Sequence, residues 1–183
     1  MNLCIRLLCL LPLVTLGACS TTAPPLRTVE QVDLPRFMGD WYVIASIPTF
    51  IERDAYNAIE SYELVAERRV ATTFRFNAGA FDGPLKTYRP TGFVCDEPSN
   101  AIWGMQFIWP VKADFRVMYL NADYTQTVIG RNKRDFVWIM ARSPAIPEAD
   151  YARIVSLIGQ QGYDIEQLRR VPQRHPEQGD EQP

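Results

Sequence analysis

The feature that most constrains this chain is a series of short apolar stretches from Asp40 to Arg142, broken every few residues by turn formers. Segments of strand length fall near 40–47, 57–66, 70–77, 85–95, 101–109, 114–121, 124–130 and 135–142. Between them stand "AGAFDGP", "CDEPSN", "WPVKAD", "NAD" and "RNKRD", rich in residues that suit turns. Connections this short leave no room for the helical crossovers of a parallel sheet. Eight strands so joined predict an all-β fold, either a closed antiparallel up-and-down barrel or a sandwich.

Parity along the strands predicts which side chains face inward. Trp41, Val43, Ala45 and Ile47 share one parity, as do Val70, Thr72, Phe74 and Phe76. The same holds for Trp103, Met105, Phe107 and Trp109, for Val117 and Tyr119, and for Phe136, Trp138 and Met140. Strand side chains alternate between faces, so each set occupies one side of its strand. The opposite parity is also partly apolar (Val137, Ile139 and Ala141), so part of the outer surface needs a cover. "PEADYARIVSLIGQQG", 147–162, supplies one: Tyr151, Ile154, Val155 and Ile158 recur at helical spacing. Pro147 suits the first helical position, Glu148 and Asp150 suit the positive end of the helix dipole, and Gly162 suits a stop.

The chain opens "MNLCIRLLCLLPLVTLGACSTTAPP". Its apolar run, Leu7 to Leu16, is too short to cross a bilayer as a helix and fits the core of a signal peptide. Leu16-Gly17-Ala18-Cys19 resembles the bacterial lipobox. That resemblance implies a lipoprotein signal peptide over 1–18, acylation of Cys19, and, with Ser20 following, residence in the outer membrane with the body facing the periplasm. Several acyl chains hold a protein at a membrane where one does not. Residues 19–31 then read as a polar, proline-bearing tether, 32–171 as one domain, and 172–183 as a disordered tail. Removing 1–18 takes away Arg6 and makes the chain slightly more acidic than its net charge of −2, which gives no concentrated basic face for nucleic acid. After Cys19 only Cys95 remains, so the body has no internal disulfide; a buried, inert thiol is the expected reading.

Three segments carry a family resemblance. Gly39-Asp40-Trp41-Tyr42 stands at the mouth of the first strand, "FIWPVKADFRVMYLNADYTQTVIG" in the middle, and Asp135 to Pro144, "DFVWIMARSP", on the last strand. In this order, behind a lipobox, they resemble the lipocalin family from about Val32 to Val171. The likeness is to its bacterial outer-membrane members, which are similar in turn to plant temperature-induced lipocalins and apolipoprotein D. The resemblance selects the barrel over the sandwich: eight strands, with the C-terminal helix packed outside. It implies that Gly39 makes the tight turn, Trp41 plugs the narrow end, and Arg142 lies across that indole. Where the family's middle segment carries an aspartate this chain has Asn121, which can make similar turn hydrogen bonds.

An eight-stranded barrel can hold one small ligand. The resemblance implies carriage of a fatty acid or lysophospholipid in membrane maintenance. Phe74, Phe76, Trp103, Met105, Phe107, Val117, Tyr119, Trp138 and Met140 are the inward-parity candidates for the wall. The same parity equally describes a filled core, so an interaction lipoprotein without a pocket stays open, as does a carotenoid or tetrapyrrole ligand. Loops 49–57 and 77–83, with Arg75, Lys112 and Arg116, are the places where a head group finds polar partners. Glu60 shares the parity of Tyr62, so it either faces the ligand or turns outward, because a buried unpartnered carboxylate is costly. The one histidine, His175, falls in the tail, and no nucleophile elbow or phosphate loop occurs; the sequence argues against catalysis and calls for no cofactor or metal. The apolar "FIWPV" is a candidate homodimer contact.

Overall fold

The computed structural model describes residues 24–174. Residues 1–18, Cys19 and His175, on which the signal, the anchor and part of the tail were read, lie outside the described residues. The expected strands are present with small shifts: β1 Gly39–Ile47, β2 Ala55–Ala66, β3 Arg69–Ala78, β4 Leu85–Tyr88, β5 Thr91–Val94, β6 Ile102–Ile108, β7 Val111–Leu120, β8 Gln126–Gly130 and β9 Val137–Ala141. The stretch read as one strand over 85–95 is two, because Arg89 and Pro90 interrupt it; proline has no N–H to give the ladder. Neighbours pair antiparallel in chain order from β1 to β9, with β4 and β5 both on β3, and β9 returns to β1. That last pairing closes an eight-stranded barrel. β4 extends it along β3, and a two-residue β10, Arg169–Arg170, adds to β1.

Two register shifts redirect side chains that simple parity assigns inward. In β1 the pairing with β9 slips between Val43 and Ala45. Trp41 and Val43 point into the barrel, whereas Ala45 and Ile47 belong to the cluster on its outside. In β7 the pairing with β8 slips between Val117 and Tyr119. Val117 stays inside, Tyr119 joins the outer cluster, and Leu120 packs inside again. A bulge inserts one extra residue and turns every following side chain to the other face. Tyr119 is therefore not a wall residue. Its hydroxyl instead accepts a hydrogen bond from Arg153 of the helix at 2.9 Å.

The outer cluster explains the apolar opposite parity. α2, Glu148–Gln160, lays Ile154 and Ile158, both fully buried, against Ile44, Met118, Val128 and Ile139. Each such burial contributes about 1.5–3 kcal/mol. Gly130 lies beneath: a Cβ there would come within 2.2 Å of Met118 Sδ and 2.5 Å of Tyr163 Oη. Only glycine fits.

Both ends of the described residues are held more firmly than their polar composition suggests. The tether expected over 19–31 is pinned from Pro24 onward: Pro24 O accepts from Arg134 at 2.6 Å, Leu26 is buried, and Val29 N donates to Val117 O at 3.0 Å. At the other end Gln173 Nε2 donates to the carbonyls of Val43 and Ala58, so the tail does not begin at 172. A short helix that the periodicity did not reveal, α1 Leu34–Phe37, is capped by Asp33 and leads into β1. Cys95 lies past the end of β5 and is exposed, not buried as expected.

Candidate ligand-binding cup

The lower half of the barrel is filled. Phe37, Trp41, Tyr62, Trp103 and Phe115 pack ring against ring, with centroids 5.1 Å apart for Phe37–Trp41 and 5.1 Å for Trp103–Phe115. Both indole N–H groups are satisfied, Trp41 by Phe37 O at 2.9 Å and Trp103 by Asn100 O at 2.7 Å. Beneath them Arg142 closes the end. Its guanidinium lies 3.8 Å from the Trp41 ring centre and donates to the carbonyls of Arg36, Phe37, Met38, Asp40 and Tyr124. Gly39 admits this packing: its φ is +93°, and a Cβ would stand 3.3 Å from Arg142 Nη1. Asn121 holds the nearby turn, its Oδ1 accepting from Thr125 N and Gln126 N at 2.8 and 2.9 Å.

The upper half is open. A cavity of about 510 Å³ reaches down from the end bounded by the β1–β2, β6–β7 and β8–β9 connections. Its volume is that of a small-molecule site. Of the nine wall candidates, Phe74, Met105, Phe107 and Trp138 line it. Trp103 is part of the floor; Phe76, Val117 and Met140 are buried without lining the cup, and Tyr119 is outside. The wall is completed by Tyr88, Arg89 and Pro90 at the break between β4 and β5, by Ala113 and Phe115 of β7, and by Phe136. Phe136 had been visible on the Trp138 parity. Tyr88 and Arg89 had no signal, because the interruption that turns them could not be placed from sequence. A second, more open groove of about 600 Å³ lies at the closed end, beside Val32, Leu64 and Tyr124.

Three carboxyl groups line the cup: Glu52, Glu60 and Asp114, the last paired with Arg116 at 3.0 Å. Glu60 lines the cup, which decides between the two orientations left open by its sequence. Burial raises its pKa to about 7, with a further push from the charge of Glu52 and some relief from the Tyr62 hydroxyl. Glu52, in the β1–β2 connection, is raised by burial as well, opposed by the Thr49 N–H at 2.9 Å and by Trp138 Nε1, 3.2 Å from both oxygens. Among cations, Arg89 and Arg131 are on the wall. Arg131 pairs with Asp135 at 3.5 Å, while Arg89 is exposed and makes no ion pair among the described residues. Arg75 and Arg116 point outward, paired with Asp40 and Asp114, and Lys112 lies 3.9 Å over the Phe93 ring. The expected head-group cations thus face away from the cup. The site is an apolar cup with the buried carboxyl of Glu60 in its wall, suited to holding a chain-like molecule.

The sequence matches the family model described as a lipocalin-like domain over residues 32–173. This chain belongs to the lipocalin family. It is 28% identical over 162 residues to temperature-induced lipocalin-1 of Arabidopsis thaliana, covering 84% of this chain and 86% of that one. It is 24% identical over 183 residues to the outer membrane lipoprotein Blc of Escherichia coli K12, covering 90% and 97%. Among solved structures, insecticyanin of the tobacco hornworm Manduca sexta superposes with a TM-score of 0.64 at 14% identity, over 81% of this chain and 85% of that one. As a lipocalin, the chain has the fold of a carrier of small apolar ligands. Among the described residues no helix is long and apolar enough to cross a membrane.

Proposed function

We propose that this lipocalin is anchored to the outer membrane through Cys19, faces the periplasm, and carries one single-chain lipid, a fatty acid or lysophospholipid, in membrane maintenance. The observation that carries this reading is the half-filled barrel: an aromatic floor under an open cup of about 510 Å³ walled by Phe74, Met105, Phe107, Phe136 and Trp138. Its likeness to an outer membrane lipoprotein over most of both chains supports the anchor. The acyl chain descends toward Met105 and Phe74, each buried methylene contributing about 0.8 kcal/mol. The head group stays at the mouth, for two reasons. Glu60 opposes an anionic head at depth, and Arg89 offers a charge partner on the wall. Methionine and aromatic walls adapt to chains of different saturation at small entropic cost.

Native mass spectrometry of the protein purified from its own membrane tests the reading. It predicts one lipid of a single acyl chain per protein, released by organic extraction, and an acyl-modified N-terminal cysteine. A protein that emerges empty and refuses both lipid classes would favour the interaction lipoprotein.

A further inference from the structure

The large exposed apolar side chains of this lipocalin are gathered at one end. Ile108 and Trp109, 76% and 82% exposed, form the tip of the β6–β7 hairpin, with Phe107 and Val111 on its flanks. Phe50, 80% exposed, tops the β1–β2 connection across the cup. Phe50, Phe107 and Ile108 also line the cavity, so the patch is the rim of the mouth. Among the other described residues Leu85 is exposed at the start of β4, and Val65 and Ile165 stand singly. The closed end instead exposes charges of both signs, Glu67, Arg69, Asp123 and the Arg68–Glu97 ion pair. Exposed apolar side chains gathered around one opening are costly to leave in water and mark a contact surface.

The N-terminal segment says what covers it. Pro24 and Leu26 are bonded to Arg134 and Asn132, in the β8–β9 connection that borders the mouth with Arg131 and Phe136. The chain therefore leaves the barrel beside the rim. Cys19 is five residues before Pro24, a reach of at most about 18 Å. An anchor there holds the mouth near the bilayer, and the charged, closed end away from it.

We infer that the rim of Phe50, Phe107, Ile108, Trp109 and Val111 docks on the phospholipid surface to which Cys19 is anchored, so that the cup opens directly onto the membrane. Lipid then moves between bilayer and cup without crossing water. This rests on the anchored-carrier reading for its orientation; the apolar rim itself does not depend on that reading.

The test uses the exported, full mature chain reconstituted into vesicles of phosphatidylethanolamine and phosphatidylglycerol. An environment-sensitive label is placed at the rim (Trp109→Cys) or at the closed end (Glu67→Cys), each in a Cys95→Ser background. Docking predicts a blue-shifted rim label, quenched by a nitroxide near the lipid head groups, and an unaffected closed-end label. With Val111→Lys added, a residue of the rim outside the cavity lining, the rim response falls, while lipid binding in the cup, read by Trp138 fluorescence in detergent, persists. A rim label that stays in water beside the vesicles overturns the inference. So does one that shifts without vesicles in proportion to protein concentration, which would mean that the hairpin pairs two copies. If mass spectrometry finds Cys19 unmodified, the same labels are read after adding vesicles to the unanchored protein. Rim insertion would then stand without the anchor. An inserted rim over a cup that binds no lipid sinks the carrier reading alone.

Discussion

The Arg142 guanidinium lies over the Trp41 indole, 3.8 Å from its centre, and ties the α1 carbonyls of Arg36 and Phe37, together with Met38 O, to the last strand. One side chain joins the segment before β1, the turn before β8 and the end of β9. Removing it leaves several carbonyls short of a donor and an indole face without its cation. Arg142→Ala is predicted to cost about 2–4 kcal/mol in urea unfolding. Arg142→Lys recovers less than half, since a point charge cannot span those acceptors. Lipid affinity of the folded fraction is unchanged, because the clamp lies below the floor.

Glu60 makes stability depend on pH in the direction opposite to a salt-bridged acid. Its pKa is about 7 in the folded chain against an ordinary 4.5, so between those values the fold retains a proton that the unfolded chain has lost. Stability therefore falls as pH rises from about 4.5 to about 7 and levels off above. Glu60→Gln removes its own share of that slope and leaves the part of the same sign that buried Glu52 contributes. Its gain over the parent, measured by urea unfolding across the window, is predicted to grow to about 2–3 kcal/mol, less where water in the cup screens the charge. A gain that is flat with pH would place the titration elsewhere.

The same group bears on ligand choice. A fatty acid is predicted to bind more weakly above pH 7 than at pH 6, once Glu60 is ionised in the cup. Glu60→Gln should flatten that difference, as followed by titration calorimetry at the two pH values. For a lysophospholipid, whose head remains at the mouth, the pH effect is smaller.

Much of the fold was legible because turn residues and parity agree over most strands. What failed did so at particular residues. Tyr119 was read as wall and Ala45 and Ile47 as interior, because a bulge in β7 and another in β1 each shift parity by one residue while leaving composition unchanged. Trp103 obeys its parity yet belongs to the floor: parity says in or out but not how deep. Arg75, Lys112 and Arg116 were sought at the mouth for their charge, although their own parity places them outward. Glu60 shows the converse. Its position on the Tyr62 parity was readable; its facing a cavity needed the cavity.

Gly130 tests the packing of α2. With Met118 Sδ 2.2 Å and Tyr163 Oη 2.5 Å from where a Cβ would sit, Gly130→Ala must displace both. The expected loss is about 1–3 kcal/mol, with freer exchange of the α2 amides. A neutral effect would mean that the helix rides loosely on the barrel.

Filling the cup separates binding from folding. Ala113 lines the cavity opposite Met105 in the β6–β7 register. Ala113→Phe places a ring in open space, so unfolding stability should change by about 1 kcal/mol or less while lipid affinity falls about tenfold or more.

The most direct measurement is a fluorescence titration of the mature protein with lysophospholipids of increasing chain length, in Trp109→Phe so that Trp138 reports the cup. The account predicts saturable one-to-one binding, with affinity rising about tenfold for every two methylenes until the cup is full, and loss of that binding in Ala113→Phe. A response that does not saturate, or that is equal for every chain length and indifferent to Ala113→Phe, would contradict carriage of a lipid in the barrel.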